Sequence, residues 1–310
     1  MISSIFGKTK PINYIIVLTF LFVFYWFTYF SLFSLPYKTD YFLHQVVVLG
    51  VLLFMVFVIN FITKRNKITA NHSYTIFFFT LLILLFPEVL LDHNSILCSF
   101  FLLLAIRRLL STKSLRKVKI KLFDATIWIA ISSIFYDWAI LFLALVFVTI
   151  YLYEPKNIKN WMVPFIGVAT VLMLVLAVQI LLNQERFLET HYNFTIGITK
   201  DYIFEWRNSL KLLIYIVASL VLIVVTFLKL SKSGQGRINT MRLVTVFFFI
   251  GLIIALLKSS NTITPILITF FSASVFMSNY IETIKKPNIK ELVLIASLLI
   301  PFIVLAAKFM

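Results

Sequence analysis

Between residues 74 and 153 apolar runs alternate with short polar turns, and one dense basic loop stands in their middle. Residues 74–91 are apolar and give way to Asp92-His93-Asn94, and residues 96–106 stop at Arg107-Arg108. Residues 111–121 then carry Lys113, Arg116, Lys117, Lys119 and Lys121. After them come apolar residues 122–135, the turn Tyr136-Asp137-Trp138, and apolar residues 139–153. A bilayer accepts such runs as helices, because a helix satisfies its own backbone polar groups where no water can. Composition agrees: 61% of residues are hydrophobic, 13% are charged, and the mean hydropathy is +1.02, values that belong to a chain crossing a membrane several times. The expected fold class is all-α: a polytopic helical membrane bundle forming one transmembrane domain over residues 1–310.

About eleven spans are expected from run length, near residues 13–34, 41–62, 74–91, 95–110, 122–135, 139–153, 161–182, 208–228, 243–257, 263–281 and 291–307. The two middle hairpins use short spans, which are expected to be kinked or to cross incompletely. The first apolar stretch is too long for a signal-peptide core and lacks a small-x-small cleavage site, so it reads as a retained anchor. Residues 1–12 read as an interfacial half-turn with Ile2, Ile5 and Phe6 on its apolar side. With the amino terminus in the cytoplasm, most of the 28 Lys and Arg fall on inward segments. The main basic cytoplasmic loop is 107–121, the main extracytoplasmic loop is 183–207, and the carboxyl terminus lies outside, as the positive-inside rule requires. The expected location is the bacterial inner membrane.

The same distribution decides what the net charge of +16 means. Its cations sit at span ends, so the positive-inside effect accounts for them and a nucleic-acid partner is not expected. The single Cys98 lies within an apolar run and has a packing role. Cys and His show no metal-ligand spacing, and there is no nucleophile elbow and no His-Glu-x-x-His. No cofactor is expected, and a divalent metal has no support. Ser233-Gly234-Gln235-Gly236-Arg237 follows no strand and lacks the Gly-Lys-Ser of a phosphate loop, so it reads as a flexible turn.

Acidic residues gather on the outward side, with His44, His93 and His191. Asp40 and His44 stand four apart at the start of the second span, as do Glu88 and Asp92 after Pro87, a spacing that shares one helix face. Charged groups at the hydrocarbon edge are costly unless paired or facing a wet cavity. Asp40, Glu88, Asp92 and Asp137 are therefore candidate catalytic acids, with interfacial capping as the plainer alternative. His44, His93, Arg186, Lys200 and Arg207 are candidate substrate-binding residues. The three cations of that set can grip a phosphate or pair with neighbouring acids. Asp124 is expected to pair with Lys121 or to complement a helix N-terminus, and Asn60 and Gln179 to make interhelical hydrogen bonds.

The opening MISSIFGKTKPINYII, the Leu90-Leu91-Asp92-His93-Asn94 turn and Arg107-Arg108 resemble multi-pass inner-membrane proteins of flavobacteria and other Bacteroidota that carry a domain-of-unknown-function label. The stretch FDATIWIAISSIFYDWAILFLALVFVTIYL, behind a basic inner loop and a span ending in an outer acid, is similar to the middle of polytopic C-superfamily glycosyltransferases. That likeness implies an outward cavity for a polyprenyl-phosphate-linked substrate and an acidic catalytic residue. The first outer loop departs from those enzymes: it is short, with Asp40 as its only acid. Three functions remain open. One is a glycosyltransferase-like body binding a lipid-linked glycan, with an acid as base or metal ligand. The second is a non-catalytic membrane subunit of a larger envelope complex for secretion, motility or insertion, with other envelope membrane proteins as partners. The third is a transporter.

Overall fold

The computed structural model describes residues 2–35, 39–182, 187–196, 206–230, 234–258 and 265–306, without the side chains of 39–41 and 206–208. The described residues contain helices and no strand. In chain order the helices are α1 (Ile2–Phe6), α2 (Pro11–Phe27, continued by a π-turn at Thr28–Leu32), α3 (Thr39–Arg65), α4 (Tyr74–Leu85), α5 (His93–Ser111), α6 (Val118–Ser132) and α7 (Leu143–Tyr153). They continue with α8 (Ile158–Leu182), α9 (Phe187–His191), α10 (Trp206–Leu230), α11 (Gln235–Leu257), α12 (Leu267–Thr283) and α13 (Pro287–Ala306).

Local chemistry sets several boundaries. Phe86, held off helical geometry ahead of Pro87, ends α4, because the proline ring disfavours the α-region for the residue before it. Pro87–Leu90 forms a single 3-10 turn, and Asp92 then opens α5 by accepting the Ser95 N–H at 3.0 Å. A second 3-10 turn, Asp137–Phe142, leads into α7.

Among the described residues seven helices are long and apolar enough to cross a membrane: Pro11–Leu32, Phe42–Arg65, His93–Ser114, Ile158–Leu182, Ser209–Leu230, Gln235–Leu257 and Pro287–Ala306. The other expected spans appear as shorter helices. With 12 residues, α4 rises only about 18 Å against a hydrocarbon core of about 30 Å. It is shielded instead by protein: Tyr74 through Leu84 are all buried, with α2, α3, α12 and α13 packed around them. Deep in this core the Ser278 hydroxyl of α12 donates to Thr75 Oγ1 at 3.0 Å.

Packing elsewhere depends on small residues that let backbones approach. A Cβ at Gly167 of α8 would stand 2.8 Å from Thr126 of α6. The long helices α8, α10 and α13 lie outermost, with apolar faces exposed, including Met173, Leu181, Leu213 and Ile303.

The helix ends sort onto two faces. One, the acidic end, gathers the start of α3, the α4–α5 and α6–α7 turns, α9, and the meeting ends of α10, α11 and α12. The opposite, basic end holds the α5–α6 loop, the α3–α4 turn and the starts of α11 and α13. The expected pairing of Asp124 with Lys121 is corrected here. Asp124 pairs with Arg108 Nε at 3.1 Å, because the Lys121 ammonium donates instead to Ser111 O and Ser114 Oγ. The expected turn at the amino terminus is the short helix α1, which docks on the bundle. Glu291 accepts the Ile2 and Ser3 N–H groups at 2.6 and 3.0 Å, and Phe6 packs on Phe77. Asn60 does join two helices, donating to the Tyr14 hydroxyl of α2.

Candidate functional site at the acidic end

Three groups of polar side chains occupy this end. The first surrounds the start of α5. Asp92 is buried, and besides capping Ser95 its Oδ2 accepts the Tyr136 hydroxyl. Burial pushes the Asp92 carboxyl above its ordinary range, opposed by the Tyr136 hydroxyl and by the Ser95 and Asn94 N–H groups. The Tyr136 hydroxyl is raised in turn, by its own burial and then by the Asp92 charge. Next in the chain, His93 brings Nε2 to 3.5 Å from the Tyr25 hydroxyl, which also reaches Gln45 O at 3.5 Å. The His93 ring centre lies 5.0 Å from that of His44, which is exposed on α3. An aspartate, two imidazoles and two phenols from α2, α3, α5 and the α6–α7 turn thus stand together. Asp40 lies one turn before His44 in α3, its side chain outside those described.

The second group is an ion pair. Glu88 Oε1 accepts Lys211 of α10, both side chains nearly buried, and the Lys211 ammonium also lies 4.6 Å from the centre of the Phe86 ring. Glu88 Oε2 has no hydrogen-bond partner among the described residues. The expected common face of Glu88 and Asp92 is not found. The backbone between them runs through a 3-10 turn and a non-helical Asp92, so Glu88 turns to α10 and Asp92 to α5 and Tyr136.

The third group joins Asp137 to Lys258 at the end of α11, 3.1 Å apart, with Asp137 also accepting the Trp138 N–H at 2.9 Å. Lys258 reaches Thr195 Oγ1 at 3.4 Å, and the Trp138 indole donates to Thr195 O at 3.3 Å. Neighbouring loop residues are pinned as well. His191 Nε2 donates to Ser133 O at 2.8 Å, and the Tyr192 and Ser133 hydroxyls are 2.9 Å apart. Gln179, in the amide orientation that satisfies its partners, accepts the Phe187 and Leu188 N–H groups at 3.1 and 3.0 Å. It thereby joins α8 to the short helix α9, an interhelical bond as expected.

Arg186 and Lys200 lie outside the described residues, and Arg207 sits in the first turn of α10 with its side chain outside them. Among the described residues no three of His, Cys, Asp and Glu converge as a ligand set for a metal ion. The side chains absent from the sequence-derived set are Tyr25, Tyr136, Lys211, Lys258 and Thr195. For the two lysines a signal existed: they are cations on segments where cations are scarce, each at a helix end beside the acids of this end.

Membrane-length apolar helices around a buried helical core, with charged groups held at the ends, define an all-α membrane protein. More particularly, the chain belongs to a family of unknown function (DUF6427), whose profile matches residues 7–309. No curated protein and no solved structure matches the chain.

Proposed function

We propose that this is a multi-pass protein of the bacterial inner membrane, with its basic end in the cytoplasm and its acidic end outward. In this proposal it acts as a non-catalytic membrane subunit of a larger envelope complex. One observation carries this reading: every described candidate acid already has a partner within the chain. Glu88 is held by Lys211, Asp137 by Lys258 and the Trp138 N–H, and Asp92 by the Ser95 N–H and the Tyr136 hydroxyl. A general base must reach the proton it removes, and carboxylates locked between helices serve better to fix the outer end as a rigid surface. Extraction in a gentle detergent is expected to recover the protein with other membrane proteins in fixed ratio. Glu88→Gln, Asp92→Asn and Asp137→Asn are expected to leave its cellular role intact wherever the protein still folds. A lone monomer whose role vanishes with one folded carboxamide variant refutes the reading.

A second reading retains the glycosyltransferase-like body, binding a polyprenyl-phosphate-linked substrate at the acidic end. It is favoured by exposed His44 lying beside His93, one residue from Asp92. Asp40 or Asp92 then acts as base, and Arg186, Lys200 or Arg207 holds the diphosphate. Loss of envelope glycan in a well-folded Asp92→Asn strain supports it, and unchanged glycan in both the Asp40→Asn and Asp92→Asn strains excludes it.

A further inference from the structure

The loop between α5 and α6 is built rather than loose. Thr112–Ser114 forms a 3-10 turn, the Leu115 N–H donates to Thr112 O at 2.8 Å, and the Lys121 ammonium staples Ser111 O and Ser114 Oγ at 2.6 and 2.7 Å. Leu115 and Lys117 both take left-handed backbone angles, φ 52° and 50°, which side chains with a Cβ seldom adopt. Strain of this kind persists where surrounding structure fixes it, and it collects at sites with a role. Lys113, Arg116, Lys117 and Lys119 are left exposed, Lys113 lying over Gly236 of α11, with Leu115 and Ile120 beside them at 56% and 57% exposure. None of the four cations forms an ion pair with a described residue, and Asp124, the acid next along α6, is held by Arg108.

We infer that this loop docks the anionic phospholipid headgroups of the leaflet on its own side of the bilayer. The four cations meet lipid phosphates, while Leu115 and Ile120 enter the interfacial layer. Position is the first reason: the loop begins where the membrane-length helix His93–Ser114 ends, so headgroups are the first anions within its reach. Mixed chemistry is the second, since basic side chains interleaved with exposed aliphatic ones suit a surface that is charged above and apolar beneath. Rigidity is the third, because a pre-shaped loop loses little freedom on binding. The inference holds whichever end faces the cytoplasm and so stands apart from the proposed function.

The test places the full-length protein in nanodiscs of phosphatidylcholine containing a minor fraction of phosphatidylglycerol. Retained lipids are then counted by native mass spectrometry. Enrichment of phosphatidylglycerol by at least about tenfold is expected, falling as salt is raised. The combined variant Lys113→Gln/Arg116→Gln/Lys117→Gln/Lys119→Gln is expected to bind both lipids alike, with its thermal midpoint in phosphatidylcholine unchanged. Leu115→Ser/Ile120→Ser is expected to keep the preference but hold fewer lipids. If the fourfold variant does not fold, the salt dependence of the natural chain decides. Absence of enrichment, salt-independent enrichment, or a folded fourfold variant that still selects phosphatidylglycerol overturns the inference. So does an acidic protein that co-purifies in fixed ratio and whose removal leaves no lipid preference.

Discussion

Lys258→Met is the sharpest perturbation, because the chain contains its own control. Lys258–Asp137 and Arg108–Asp124 have the same separation, 3.1 Å, but different surroundings. The Lys258 and Asp137 side chains are 21% and 5% exposed, those of Arg108 and Asp124 44% and 26%. At this distance unit charges attract by about 1.3 kcal/mol in water and about 5 kcal/mol at an effective dielectric constant near 20. Removing Lys258 leaves the Asp137 charge enclosed, with only the Trp138 N–H to answer it, and a loss of about 2–4 kcal/mol is expected. Removing Arg108 exposes Asp124 to solvent and is expected to cost under about 1 kcal/mol. In one detergent, followed by intrinsic fluorescence on heating, Lys258→Met should lower the midpoint by roughly 5–10 °C and Arg108→Met by no more than roughly 3 °C. Lys258→Met/Asp137→Asn should recover more than half of the loss, since asparagine still accepts the Trp138 N–H and carries no charge. Equal effects of the two single variants refute the reasoning, as does a double variant that falls by the sum of its parts.

Other expectations follow from individual contacts. Asp92→Asn keeps the cap on Ser95 and should stay within about 1 kcal/mol of the natural chain, whereas Asp92→Ala should lose about 1–3 kcal/mol; equal midpoints for the two variants contradict the capping assignment. Glu282 accepts from Ala70 N and His72 at 2.7 Å and lies 3.7 Å from Arg237. Glu282→Leu should raise hydrogen exchange at Ala70 by at least about tenfold while leaving α4 protected, and unchanged exchange excludes that tether. Cys98 is buried, so in intact cells a membrane-impermeant maleimide should leave the natural chain unlabelled. The same reagent should leave Arg116→Cys unlabelled until the cells are opened, and labelling from outside reverses the proposed orientation.

Several features were legible in the sequence because they are local. Asp92-His93-Asn94 and Tyr136-Asp137-Trp138 mark breaks between apolar runs, and the helices do break there. The partners of the acids were not legible. Glu88 finds Lys211 and Asp137 finds Lys258 only once helix rotation and neighbours are set, and periodicity constrains neither when a span is apolar on every side. Asp124 shows the same limit at short range. Lys121 has the right spacing, but its ammonium reaches unmet backbone and hydroxyl oxygens at the end of α5, which leaves Asp124 to Arg108. The shared face of Glu88 and Asp92 failed because helical spacing was carried across a proline that ends the helix.

The core helix α4 bears on how the molecule is made. It emerges early in synthesis, yet one wall of its pocket is α12, and the Thr75–Ser278 bond spans 203 positions of chain. Until that later segment exists, a helix too short to bridge the lipid has no finished berth. Nascent chains cut before residue 267 should therefore be substrates for membrane quality control, because the interior closes only once that segment has been added.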